Sequence, residues 1–173
     1  PITSLSSQVL GRILNAQNIL PTDTKNFNYN VNYKCSDTAG YELNVDVDYG
    51  SFRGRNSSYQ PNVYSYPNGY IIQTIYKNKT PIDINIIAAK VDYEQPFAKG
   101  KLGFGGKFSH VRTRNIFDFW DVINDQDIFN IDRSNNFTYK ENVNALYVNY
   151  NRVYGTKWTI QAGLRIENTK SEG

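Results

Sequence analysis

The chain has no methionine, a single cysteine, a single histidine and no long apolar run. Each shortage excludes something. One thiol, Cys35, cannot build an internal disulfide framework, and its position at the start of a turn reads as a free cysteine. One imidazole, His110, leaves a metal site or a catalytic triad without partners, and no serine stands in a nucleophile motif. A strand position at a rim is the better reading of His110. The acidic and basic residues are interspersed and the net charge is only +3, so no basic patch for nucleic acid is present. No stretch approaches the roughly 20 apolar residues of a transmembrane helix. That last shortage leaves one membrane architecture open. Barrel strands alternate polar and apolar residues, so their average hydropathy is low.

What the chain does have is aromatic residues and asparagine. Fourteen tyrosines, nine phenylalanines and two tryptophans make up 14% of 173 residues. Aromatic and β-branched residues favour strands, whereas Asn, Gly and Asp favour turns. Helix formers are few beyond the N-terminal stretch. The composition predicts an all-β chain, long enough for one domain with a core.

The clearest segment is Tyr41 to Tyr49. Tyr41, Leu43, Val45, Val47 and Tyr49 alternate without a break against Glu42, Asn44, Asp46 and Asp48. Successive strand side chains point to opposite faces, so one face is apolar with tyrosine at both ends and the other is polar. Phe27–Lys34, Ile84–Glu94, Lys101–Val111, Phe137–Asn151 and Trp158–Asn168 repeat the pattern. Ile84 and Ile86 fall out of phase with Ile87, Ala89, Val91 and Tyr93, which suggests a bulge. Residues 1–25 are the least strand-like. Ser4 to Ser7 followed by Val9, Leu10, Ile13 and Leu14 predicts a loop or a short helix.

Connections between the strands run short, long, short, long, short. The short ones lie at Cys35–Gly40, Pro96–Gly100 and Gly155–Thr156; the long ones at Gly54–Lys79 and Arg112–Asn136. Inside the first long stretch, Pro67-Asn68-Gly69 marks a projecting hairpin. An antiparallel meander with this rhythm puts all short turns at one end. Outer-membrane barrels do the same, with apolar exteriors, polar lumens and aromatic girdles, and strands of about 9–11 residues suit a tilted crossing.

Candidate site residues sit in the second long stretch. Phe119 and Trp120, beside Phe117, are candidate ligand anchors, because exposed aromatics serve that role. They fit equally well as outer continuations of strands or as the loop's own small core. Asp121, Asp125, Asp127 and Asp132 crowd the same stretch, yet their spacing matches no calcium loop and a solvated acidic loop is the better reading. Gly103, Gly105 and Gly106 lie within a strand and are not followed by a helix, so close packing explains them better than phosphate binding. No acid/base pair is placed by any motif, and the chain is expected not to be an enzyme.

Several segments resemble the barrel region of TonB-dependent outer-membrane receptors of the Bacteroidetes type. They are "AKVDYEQPF" and "KGKLGFGGK" within Ala89–Lys107, "ENVNALYVNYNR" at Glu141–Arg152, "WTIQAGLRIENT" at Trp158–Thr169, and "SDTAGYELNVDVDYG" at Ser36–Gly50. The resemblance covers nearly the whole chain beyond residue 25. It implies a barrel of about 22 strands closed by a plug, and import of a scarce ligand (an iron chelate, cobalamin or a glycan) driven by the TonB complex. The chain departs from the pattern in length, in lacking a plug and a TonB box, and in lacking a terminal aromatic residue.

The expectation is therefore an antiparallel meander of about six to eight strands, forming a partial transmembrane β-barrel wall in the bacterial outer membrane. Residues 1–25 precede the sheet and residues 26–173 form one barrel segment excised from a larger barrel. Its partners are lipid, the remaining barrel and plug, and TonB through the parent; no cofactor, metal or nucleic acid is implied. Arg165 and Glu167, two apart on the polar face, are candidates for contact with plug or ligand, although a mutual ion pair is the simpler account. A fragment with two open edges and a lipid-facing surface is expected to self-associate. The alternative is a soluble β-sandwich that binds carbohydrate through Trp120 and nearby tyrosines.

Overall fold

A computed structural model describes residues 2–6 and 9–173, with side chains from Gly11 onward. Nine strands follow one another: β1 (Ile2–Ser6), β2 (Val9–Ala16), β3 (Thr22–Ser36), β4 (Glu42–Ser65), β5 (Ile71–Phe97), β6 (Gly100–Ile123), β7 (Gln126–Phe129), β8 (Asn135–Tyr154) and β9 (Trp158–Glu172). A 3-10 turn at Ile131–Arg133 is the only helical element among the described residues. All strands join one sheet in the order β1-β2-β4-β5-β6-β8-β9, with β3 also paired to β4 and β7 to β6. The sheet does not close. The all-β meander is as expected, and a single sheet replaces the two packed layers that a sandwich would need.

The chain divides into two compact units. One, the wall unit, comprises Asn26–Phe52, Asp83–Arg114 and Thr138–Gly173; the other, the loop-region unit, comprises Pro1–Lys25, Arg53–Ile82 and Asn115–Phe137. Strands β3, β4, β5, β6 and β8 contribute residues to both.

Within the wall unit the predicted faces are present. β8 and β9 pair without interruption from Lys140↔Glu172 to Tyr154↔Trp158. This register sets Leu146 beside Ile166 and Val148 beside Leu164 on one face, and Tyr147 beside Arg165 on the other. The apolar face is open: Val31, Leu164 and Ile166 are 68%, 77% and 79% exposed. Aromatic residues mark its two ends. Tyr29 stacks on Tyr49 with ring centroids 6.4 Å apart, while Tyr41 meets Tyr93 at 6.5 Å and Phe97 meets Tyr150 edge-on at 6.4 Å. From Tyr41 to Tyr49 the strand advances about 26 Å. A tilt of about 40° reduces that to roughly 20 Å, close to the ~25 Å apolar band of a membrane barrel.

Polar side chains knit the opposite face. Asn30 donates to Asp48 at 2.7 Å, Asn32 donates to Asn44 at 2.8 Å, and Lys34 pairs with Glu42 at 2.8 Å. Ile86 also lies on this face, beside Gly50 and Asn28, where its place in the alternation puts it. The short turns all fall in the wall unit. In the β3–β4 turn the Asp37 carboxylate accepts from the Tyr41 amide at 2.9 Å, and Gly40 takes φ +92°.

Burial is slight throughout the described residues. Phe119 and Ala145 are the only buried apolar residues among those described. The accessible surface is 12653 Å², against about 8,700 Å² for a compact protein of this mass. A sheet whose apolar face meets lipid and whose polar face meets water has no interior of its own to fill.

Three expectations need correction. Residues 1–25 carry β1 and β2 rather than a loop or short helix. The Val9, Leu10, Ile13, Leu14 spacing fits a helix, but β4 offers an open ladder: Leu14 pairs with Tyr64, Ile13 with Ser65, and further along Ile19 bridges Tyr59. Ser7, the last of the proposed capping serines, lies outside the described residues. The two long loops are largely strand, so β4 and β5 reach 24 and 27 residues, far beyond the ~9–11 of one crossing. The Pro67-Asn68-Gly69 turn does form, with Gly69 at φ +81° and the Tyr66 amide donating to Tyr70 at 2.9 Å. It caps the same two strands rather than a separate hairpin.

Leu164→Arg in the full-length protein, folded into lipid vesicles, is expected to lose about 2–4 kcal/mol of stability. Gln161→Arg, on the other face of β9, is expected to stay within about 0.5 kcal/mol. Urea unfolding followed by tryptophan fluorescence checks this, and equal losses would mean that the faces are assigned wrongly.

Candidate functional site

Two surfaces bring functional side chains together, one in each unit. On the polar face of the wall unit the centre is Tyr147. Its hydroxyl donates to the Asp92 carboxylate, whose other oxygen pairs with Lys90 at 2.6 Å. Arg165 lies across the strand pair, its guanidinium 5.7 Å from the Tyr147 ring. Gly105 explains how the ring fits: a Cβ there would overlap it, and a Cβ at Gly103 would crowd Asn149. The glycines are thus slots for side chains of β8, in keeping with the close-packing reading. Gly106 points the other way, toward Leu146.

Arg165 and Glu167, named from sequence, do share this face. The Arg165 guanidinium donates to Glu167 at 2.6 Å through Nη2 and at 3.0 Å through Nε. Both side chains are nearly half exposed, so the pair adds at most about 1 kcal/mol. Its consequence is orientation: it fixes both heads on the polar surface beside Tyr147. His110 is half-buried at the edge of the opposite face, with Nδ1 2.7 Å from the Asn142 amide oxygen.

The loop-region unit has a face of its own on each side. Phe119 and Trp120 are neighbours within β6, so they point to opposite sides and cannot serve one ligand together. Phe119 is buried, 4% exposed. Arg133 covers it, the guanidinium 3.6 Å from its ring and 4.8 Å from the ring of Tyr76. Asp121 sits 3.6 Å from that guanidinium and accepts from the Asn130 amide side chain at 2.6 Å. Asn130 also caps the 3-10 turn, accepting from the Arg133 amide at 3.1 Å, and Ser134 accepts from the Phe119 amide at 2.9 Å. Phe119 is therefore a core residue of this unit and not a ligand platform.

Trp120 faces the other side, edge-on to Phe129 at 5.6 Å. Lys79 stands 5.4 Å above its ring, and Lys77 stands 5.8 Å above the ring of Tyr59 while pairing with Asp127 at 2.7 Å. Trp120, Lys79, Lys77, Tyr59 and Asp127 line a groove of about 340 Å³ together with Ser57. The four aspartates do not converge: Asp121 and Asp127 belong to opposite faces, each with its own cation. Among the described residues no three His, Cys, Asp or Glu side chains form a metal site.

Sequence reasoning found Trp120, Arg165 and Glu167 but missed Tyr59, Lys77, Lys79, Asp92, Arg133 and Tyr147. The alternation Lys77, Lys79 against Tyr76 was a usable signal once that stretch is read as strand. The Tyr147–Asp92 contact depends on strand order and register, which no local pattern encodes.

An open antiparallel sheet with a lipid-type face, aromatic ends and a hydrogen-bonded polar face defines the wall of a transmembrane β-barrel. A family model, that of the outer membrane protein beta-barrel family, matches residues 34–173. The chain belongs to that family, and its place is the bacterial outer membrane. No curated protein matches it.

Gly105→Val is expected to displace Tyr147 from Asp92 and lower stability by about 1–3 kcal/mol. Adding Tyr147→Ala should recover most of the loss; a double variant no better than the single would remove the slot argument. Arg133→Leu keeps the bulk but loses the cation over two rings, at a cost of about 0.5–2 kcal/mol. Hydrogen exchange at the Asn130 and Ser134 amides should accelerate while β8–β9 amides stay unchanged.

Proposed function

We propose that the chain forms part of the barrel wall of a TonB-dependent receptor that imports a scarce ligand, an iron chelate, cobalamin or a glycan. The observation that carries this reading is the polar face of the wall unit. Lys90, Asp92, Tyr147, Arg165 and Glu167 form a connected charged surface where a narrow barrel would need side chains packed for volume. A surface of that kind suits a wide lumen holding water and a plug. The resemblance of Ala89–Lys107 and Glu141–Thr169 to barrels of these receptors points the same way.

In this reading the wall is chemically passive. Arg165 and Glu167 face the plug or passing ligand, Trp120 belongs to a ligand-contacting surface, and lipid covers the Tyr, Val, Leu and Trp face. TonB acts on the parent protein through the plug. Separated from its barrel, the wall would self-associate through its open edges and apolar face.

Uptake by cells carrying the intact parent protein, offered iron chelates, cobalamin and glycans in turn, tests the proposal. Accumulation of one class should stop when the proton-motive force is collapsed. Accumulation that continues at the full rate would identify a passive pore instead.

A further inference from the structure

We infer that the groove of the loop-region unit binds a saccharide carrying an acid group. The inference deepens the receptor reading, on which its meaning in the cell rests, by choosing among the ligand classes named there. Size decides first. At about 340 Å³ the groove is near the lower end of small-molecule sites, which span roughly 300–1,000 Å³. One or two sugar rings fit, whereas a corrinoid is several times too large.

Charge decides next. Lys77, Lys79 and Asp127 are the charged residues of the lining, and two cations against one anion leave a single positive charge. Lys77 is already paired with Asp127 at 2.7 Å, so the uncompensated charge is that of Lys79. Lys79 stands 5.4 Å over the Trp120 ring, a cation held by the face of an aromatic. One cation suits one carboxylate or phosphate and falls short of a multiply charged ferric chelate.

The rest of the lining has the chemistry of sugar recognition. The Trp120 and Tyr59 rings line the groove beneath the two lysines and give it apolar walls for the C–H groups of a pyranose. Asp127 offers a carboxylate oxygen as hydrogen-bond acceptor for a ring hydroxyl. In this arrangement Lys79 binds the acid group, Trp120 the ring, and Asp127 a hydroxyl. Phe119, buried on the other side of the same strand, takes no part.

The test is calorimetric titration of the detergent-purified full-length protein with trigalacturonate and with neutral galactotriose. A charge-assisted hydrogen bond to Lys79 should make trigalacturonate bind about tenfold tighter or more. Lys79→Gln should remove that preference, Trp120→Ala should weaken both ligands, and Trp158→Phe, in the wall unit, should change neither. Gel mobility before and after heating verifies that each variant is folded, and Trp120→Phe replaces Trp120→Ala if the latter is not. Rough lipopolysaccharide, whose inner sugars bear acid groups, is the third probe. Binding of it alone assigns the same chemistry to a lipid headgroup, and binding of trigalacturonate alone assigns it to a soluble glycan. Equal affinity for acidic and neutral trisaccharides, an unchanged Lys79→Gln variant, or no binding of any probe at millimolar concentration overturns the inference. Binding that persists in a protein whose uptake ignores the proton-motive force would sink the receptor reading and leave the site standing.

Discussion

The wall depends on one constraint, that backbone amides and carbonyls in hydrocarbon have no water to bond to and must pair within the sheet. The unbroken β8–β9 ladder meets it. Once the ladder is fixed, so is the alternation, because a slip of one residue would send every side chain to the wrong face. Leu164 toward lipid and Arg165 toward Tyr147 are therefore a single decision. The apolar face can stay open because its solvent is lipid, and the polar face can stay thinly packed because its solvent is water. That is why the described residues hold almost no buried apolar core.

The loop-region unit follows a different logic. Its strands carry few continuous apolar faces, so ladder pairing alone would leave them marginal. Specific anchors supply the difference. Arg133 over Phe119 and Tyr76, backed by Asp121 and Asn130, pins the segment between β7 and β8 onto one face. On the other face two lysines stand over two aromatic rings and leave a groove between them. The same cation–aromatic chemistry thus closes one face and leaves a partly charged recess on the other.

Legibility tracked the environment of each segment. Tyr41–Tyr49 and Trp158–Ile166 were readable because a lipid face imposes a strict period of two. Residues 54–79 and 112–136 read as loops because a strand wetted on both faces has no reason to alternate in hydrophobicity. Val9–Leu14 misled because its spacing is compatible with a helix turn, and the pairing of Leu14 with Tyr64 overrode that local preference. Phe119 and Trp120 looked like one aromatic site. Recognised as strand, they become two, since neighbours on a strand cannot share a face.

By itself the sequence determined the fold class, the two faces of the wall, the position of the short turns and the membrane in which the barrel sits. These are local consequences of side-chain period and turn chemistry, and of a solvent that differs between faces. Tertiary structure alone decided which residues meet. Tyr147 reaches Asp92 only because β5, β6 and β8 are neighbours and Gly105 leaves room, and Lys79 reaches Trp120 only because β5 and β6 pair. Contacts between residues tens of positions apart depend on strand order and register, and a period of two says which way a side chain points without saying what it finds there.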